Sequence, residues 1–196
     1  MGTEAIGYAL GQQCAPVIAG VKPSNLLIVE KGNQNGLRHV LKGTELCAHL
    51  LHSSAVKDYW FLYDPDALRE VLAEPEKEQY LRECGYAAKD MGRVLERLAE
   101  RFRNYKRGAD AFPHEMGVLF GYPLNDVKGF IENGGQNFKR SGYWKVYDDV
   151  AYADRIFGLY ESAKKTALRL CGQGWRIADI WKSFHAAELR WEPDLA

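Results

Sequence analysis

The sequence carries no excess of charge of either sign: 26 lysines and arginines stand against 26 aspartates and glutamates over 196 residues, a formal net charge of zero. Without a global positive field nothing steers a polyanion to the chain, so nucleic acid is not the expected partner. Long apolar runs are missing too. Nowhere do about 18 consecutive apolar residues occur, so no membrane-spanning helix is expected. Met1-Gly2-Thr3-Glu4-Ala5 lacks the basic segment and apolar stretch of a secretory signal, and the expected location is the cytoplasm. Cysteine is sparse: Cys14, Cys47, Cys84 and Cys171 lie far apart with no CxxC pair, and in such a chain they read as free thiols. No Walker loop, GxGxxG turn or GxSxG elbow occurs, and Val118 stands four positions after His114, where an HExxH helix needs its second histidine. His49 and His52 are spaced to share a helical face but have no third partner. No metal and no cofactor is assigned.

What is present is a globular composition, 46% hydrophobic and 12% aromatic, which implies a ring-rich core. One globular domain is expected over 1–196, with a C-terminal helix from about residue 174 at its periphery. A short helix over 4–13 is followed by a break at Cys14-Ala15-Pro16 and a second turn over 16–19. Leu26 to Val29 and Tyr59 to Tyr63 read as strands, the latter strongest because it is wholly aromatic and aliphatic. Residues 37–52 read as a helix. Helices are also expected over 65–73, around Tyr80, and over 87–106, where Met91, Val94, Leu95, Leu98 and Phe102 share one face. Two short helices over 113–120 and 126–133 form a helical hairpin. Tyr143 to Tyr147 reads as a third strand, and helices over 150–170 and 177–189 complete the chain. About three short strands packed with several helices make an α+β fold, or a three-layer α/β one.

Four constellations combine polar groups with defined local geometry. Cys14, followed by Lys22, Ser24 and Asn25, places a thiol beside an expected helix start, where its pKa would fall, and a lysine and amides where an anion could be held; a buried cysteine and a self-bonded turn are the plainer alternative. Phe112-Pro113-His114-Glu115 places an imidazole and a carboxylate at the start of a helix, suited to acid–base work or to capping. The 113–133 hairpin has the spacing of a helix-turn-helix, although its second helix carries one lysine against two acids and an internal glycine, a poor surface for phosphate. On a strand over 143–147, Tyr143, Lys145 and Tyr147 share one face, opposite Trp144 and Val146, which makes either an aromatic-walled pocket around an ammonium or a protected edge.

These blocks, Cys14 to Leu26, Phe112 to Ile131 and Gly142 to Tyr147, resemble an uncharacterised domain-of-unknown-function family of largely anaerobic Gram-positive bacteria. Its patterns are CAPxxAGxKP[AS]NL, FPHE[IM]GxxLGYPxxDVxGFI and GYWKVY, and the resemblance reaches to about residue 172. Phe120 stands where that pattern has leucine. Lys139-Arg140-Ser141 stands where several relatives carry cysteines, which weakens a shared thiol-pair or metal mechanism. The resemblance implies a redox- or iron-related setting.

Two functional readings follow. In the first, a small anionic or redox-related ligand sits in a cleft built from the Cys14–Asn25 loop, His114 and Lys145. Lys22 and Lys145 would hold charge, His114 with Glu115 would act as acid or base, and Cys14 as nucleophile or wall; Ser24, Asn25, Tyr143 and Tyr147 would complete the lining. In the second, the 113–133 hairpin docks a protein partner or, less favoured, DNA. Burial of Val118, Leu119, Val127 and Ile131 separates the two, because a docking hairpin would leave them facing solvent.

Overall fold

The computed structural model describes residues 2–186. Its first helix, α1 (Thr3–Ile18), is continuous, and the break expected at Cys14-Ala15-Pro16 does not occur. Pro16 sits in the last turn, where its missing N–H removes one ladder bond from a helix about to end. Gly20, at φ +72°, closes it: the N–H groups of Gly20 and Val21 donate to the carbonyls of Val17 and Pro16 at 3.1 and 3.0 Å, the paired bonds of a left-handed glycine cap.

There follow β1 (Ser24–Glu30), α2 (Gln34–Leu41), β2 (Cys47–Ser53) and β3 (Lys57–Tyr63). The strands form one antiparallel sheet in the order β1-β3-β2, with Leu27 opposite Trp60 and Ala48 opposite Leu62. Antiparallel pairing throughout makes the fold α+β rather than three-layer α/β. The aromatic β3 takes the centre, where Trp60, Phe61 and Leu62 are buried. β2 corrects the helix expected over 37–52. α2 stops at Leu41, Gly43 turns the chain at φ +94°, and Cys47 to Ser53 becomes an edge strand with a register shift between Leu50 and His52. Its residues have neither strand periodicity nor strong strand propensity; the ladder offered by β3 decides their state.

Next come α3 (Pro65–Ala73), α4 (Pro75–Glu83), α5 (Met91–Lys106), α6 (Met116–Leu119) and α7 (Leu124–Glu132). α5 begins at Met91 rather than 87 because the Asp90 side chain accepts from the N–H of Arg93 at 3.1 Å. It buries Val94, Leu95, Leu98 and Phe102 as its periodicity predicts, while Met91 stays partly exposed. The third strand expected over 143–147 shrinks to β5 (Lys145–Val146), paired with β4 (Arg140–Ser141) in a small hairpin apart from the three-stranded sheet. The chain closes with α8 (Val150–Gly172) and α9 (Ile177–His185); the expected extension of α9 to Leu189 lies outside the described residues.

The chain divides into two compact units, Met1–Ala67 with Leu159–Ala196, and Leu68–Gly158. The core of the first joins Leu10, Cys14 and Val17 of α1 to Leu27 of β1, Leu62 of β3 and Ile180 of α9. Leu98, Phe102, Val118, Leu119 and Val146 are buried in the second. Among the described residues no helix is long and apolar enough to cross a membrane, and the four cysteines are free thiols.

Candidate functional site

The first block forms a clamp inside the first unit. Because α1 runs through, Cys14 lies near its C-terminal end, not at a helix start, and is fully buried. Burial pushes its thiol up to about 12 despite the nearby charge of Lys22 and the side chain of Asn25, the reverse of the lowering expected at a helix start. Lys22 is buried as well, and desolvation brings its ammonium down to about 7. Its Nζ donates to Asn25 Oδ1 at 2.6 Å and lies 5.6 Å from the centre of the Tyr160 ring. Asn25 Nδ2 in turn donates to the carbonyl of Gln13 at 2.5 Å. Ser24 is buried where β1 begins.

Gln13, which no motif singled out, completes the clamp. Its side-chain amide donates to the Ile28 carbonyl at 3.0 Å and accepts from the Ile28 N–H at 2.9 Å. β1 is an edge strand, so this amide occupies backbone groups that would otherwise offer an open ladder.

The other two blocks meet in the second unit. A cavity of about 400 Å³ is lined by His114, Tyr143 and Lys145 together with Phe112, Phe130 and Trp144, among others. The His114 ring lies 5.3 Å from Phe112 and 5.0 Å from Phe130. Lys145 Nζ donates to the Gly135 carbonyl at 2.5 Å and stands 4.6 Å from the Phe138 ring and 5.7 Å from Phe130. Tyr122 stacks on Trp144 at 5.0 Å and donates its hydroxyl to the Tyr143 carbonyl at 3.2 Å, and burial pushes that phenol up to about 12. Most of these rings, with His114 and Lys145, remain partly exposed, so the cavity opens to solvent.

Asp126 holds the wall in place. Only 2% exposed, it accepts from Trp144 Nε1 at 2.6 Å and from the N–H groups of Tyr147 and Asp148 at 2.7 and 3.0 Å. A carboxylate takes the donors a neighbouring strand would have taken, which is why the 143–147 segment is extended yet barely a strand. Tyr147 does not line the cavity. It lies against α7 at Gly129, where an added Cβ would fall 2.7 Å from its Cβ and Cγ atoms, and its hydroxyl is buried with no hydrogen-bond partner among the described residues. The internal glycine of α7 is therefore a close-approach position.

His114 precedes a four-residue helix rather than opening a long one: α6 (Met116–Leu119) starts after Glu115, whose side chain makes no capping bond to it. Glu115 is buried and already engaged, by Arg101 Nε at 2.5 Å and by the Tyr86 hydroxyl at 3.0 Å. Burial and the Glu115 charge push the Tyr86 phenol well above its usual value. Glu115 thus anchors the loop that carries His114. Val118, Leu119 and Val127 are buried and Ile131 is 46% exposed, so the hairpin's apolar groups go mostly into the core.

The sequence blocks accordingly fall in different units: Cys14, Lys22, Ser24 and Asn25 in the first, His114, Glu115, Tyr143, Lys145 and Tyr147 in the second. Asp126, Tyr122 and Phe130 lay unremarked inside the second block, visible as polar and aromatic residues but not as parts of one wall. Among the described residues no group of three or more His, Cys, Asp or Glu side chains is placed to hold a metal ion. A family model described as protein of unknown function (DUF3793) matches residues 10–181. No curated protein and no solved structure matches the chain.

Proposed function

Since the chain belongs to the DUF3793 family, whose description is protein of unknown function, its chemistry must be argued from the site, and we propose that the second unit binds a small flat organic acid. The ligand class is an aromatic or heteroaromatic ring bearing a carboxylate or similar anionic group. One observation carries the reading: His114 and Lys145, about 30 residues apart in the sequence, both line one ring-walled cavity of about 400 Å³, within the usual range for small-molecule sites. Partly exposed ring faces favour a planar ligand. The Lys145 ammonium has three donors, of which Gly135 takes one, and the imidazole of His114 adds a polar group at the same wall.

The test uses 1-anilinonaphthalene-8-sulfonate, which joins flat rings to an anion. Saturable one-to-one binding to the natively folded chain is expected. Lys145→Met should weaken it by roughly tenfold or more through the lost charge-assisted bond, and His114→Gln should weaken it without changing near-ultraviolet circular dichroism. Absence of a saturable site, or binding indifferent to both substitutions, would overturn the proposal. Docking of a protein partner on the 113–133 hairpin has less support, because of its apolar residues only Ile131 stands well exposed.

A further inference from the structure

We propose that the first unit carries a separate binding site for a phosphorylated aromatic molecule of the nucleotide class, in the cavity where the first turns of α1, the end of α2 and the α8–α9 turn come together. This cavity measures about 730 Å³ and is lined wholly by residues of the first unit. Small residues create the space: Ala5, Gly7, Gly172, Gly174 and Ala178 stand in its walls, and a methyl group added at Gly172 or Gly174 would meet nothing within 4 Å.

Two rings stand in that lining unburied, Tyr8 at 55% exposure and Trp175 at 46%. Among the exposed large apolar side chains of the first unit's described residues these are the two aromatic ones, and both line the same cavity. Exposed indole and phenol faces are stacking platforms for a nucleobase. The polar lining complements them: Lys42 and Arg176 against the single acid Glu4, with the His39 imidazole beside them. Asp179 accepts from Arg176 Nε and Nη2 at 2.8 and 3.0 Å, which fixes the guanidinium plane. Lys42 makes no ion pair among the described residues. Rings and cations in one cavity call for a ligand that offers a base and a phosphate together; a neutral sugar uses neither half, and inorganic phosphate uses only one.

The test is calorimetric titration of the full chain with ADP, and with adenosine and inorganic phosphate as its two halves. ADP should bind one-to-one, and each half should bind more weakly by roughly tenfold or more. Trp175→Ala and Lys42→Glu, both at exposed positions that leave the core intact, should each weaken ADP by roughly tenfold. Lys145→Met should leave ADP binding unchanged. No saturable ADP binding, binding that neither Trp175→Ala nor Lys42→Glu weakens, or binding lost in Lys145→Met would each overturn the assignment. Phosphate binding as tightly as ADP would overturn the nucleotide class.

Discussion

In the first unit the polar residues of the opening block turn toward one another: Lys22 donates to Asn25, Asn25 to the backbone of Gln13, and Gln13 clamps both backbone groups of Ile28. In the second unit the equivalent residues divide. Asp126 and Glu115 hold the frame, while His114 and Lys145 stand among partly exposed rings at a cavity. A distinctive polar block in a sequence can therefore record a folding device or a binding surface. What separates the two is whether the hydrogen-bonding capacity is met inside the protein and whether space lies beside it.

Asp126→Ala is expected to break this comparison most severely. It strips three donors of their shared acceptor, one of them the indole of a buried tryptophan. A loss of about 3–5 kcal/mol is expected for removing a buried carboxylate from such a network. Urea unfolding followed by tryptophan emission and far-ultraviolet circular dichroism measures it; a loss under about 1 kcal/mol would mean that water replaces the carboxylate readily.

The next effect belongs to the clamp and reads out through pH. Lys22 titrates near 7 when folded against 10.5 when free, because burial disfavours its charged form. Below pH 7 the lysine is charged in both states, and the folded state carries the full desolvation penalty. Between 7 and 10.5 the unfolded chain binds the extra proton, so stability rises with pH at about 1.4 kcal/mol per unit. Cys14 acts oppositely once free thiols ionise above 9, since its folded value is about 12. The clean window is therefore pH 7 to 9, with a gain of roughly 2–3 kcal/mol. Thermal melting across that window should show the rise in the parent chain and a flat profile in Lys22→Met.

How far the sequence leads differs between the units for the same physical reasons. Periodicity located α5, and the aromatic run located β3 as a strand though not its place in the sheet, because both signals come from side chains facing a core. β2 was illegible: His49, Leu50, Leu51 and His52 have no period, and their strand state is conferred by β3 across the ladder. Pro16 suggested a break that the last turn of α1 absorbs. His114, Tyr143 and Lys145 stood out as candidate residues because they combine polar heads with rings, but the sequence grouped them with Tyr147 and with the Cys14–Asn25 loop, neither of which lines the cavity. Gln13 and Asp126 did not stand out, since an amide or a carboxylate that serves distant backbone groups has no local signature. The family blocks marked Asp126 as part of a motif without saying that it takes the place of a strand.

Gly129→Ala sharpens the comparison at intermediate cost. The new methyl would lie 2.7 Å from Tyr147 Cβ and Cγ, so α7 and the Tyr147 backbone must part. Roughly 1–3 kcal/mol of overpacking is expected, with weaker binding at the cavity because the segment carrying Lys145 shifts. Gln13→Ala should cost about 1–2 kcal/mol, the net worth of two hydrogen bonds to an edge strand, and leave ligand binding in the second unit untouched.

Lys145→Met should move stability least. The ammonium is partly exposed, and what it gives the fold is one bond to the Gly135 carbonyl and contact with the Phe138 and Phe130 rings. Methionine keeps the apolar stem against those rings, so denaturant midpoints should shift by less than about 1 kcal/mol. Binding of an aromatic acid should fall by roughly tenfold or more in the same variant, because its anion loses the charged donor. Lys22→Met reverses the pattern: stability and its pH dependence change, and the acid binds as before. If both lysines alter stability and neither alters binding, Lys145 is a clamp residue like Lys22, and the cavity beside it is a packing feature of the hairpin.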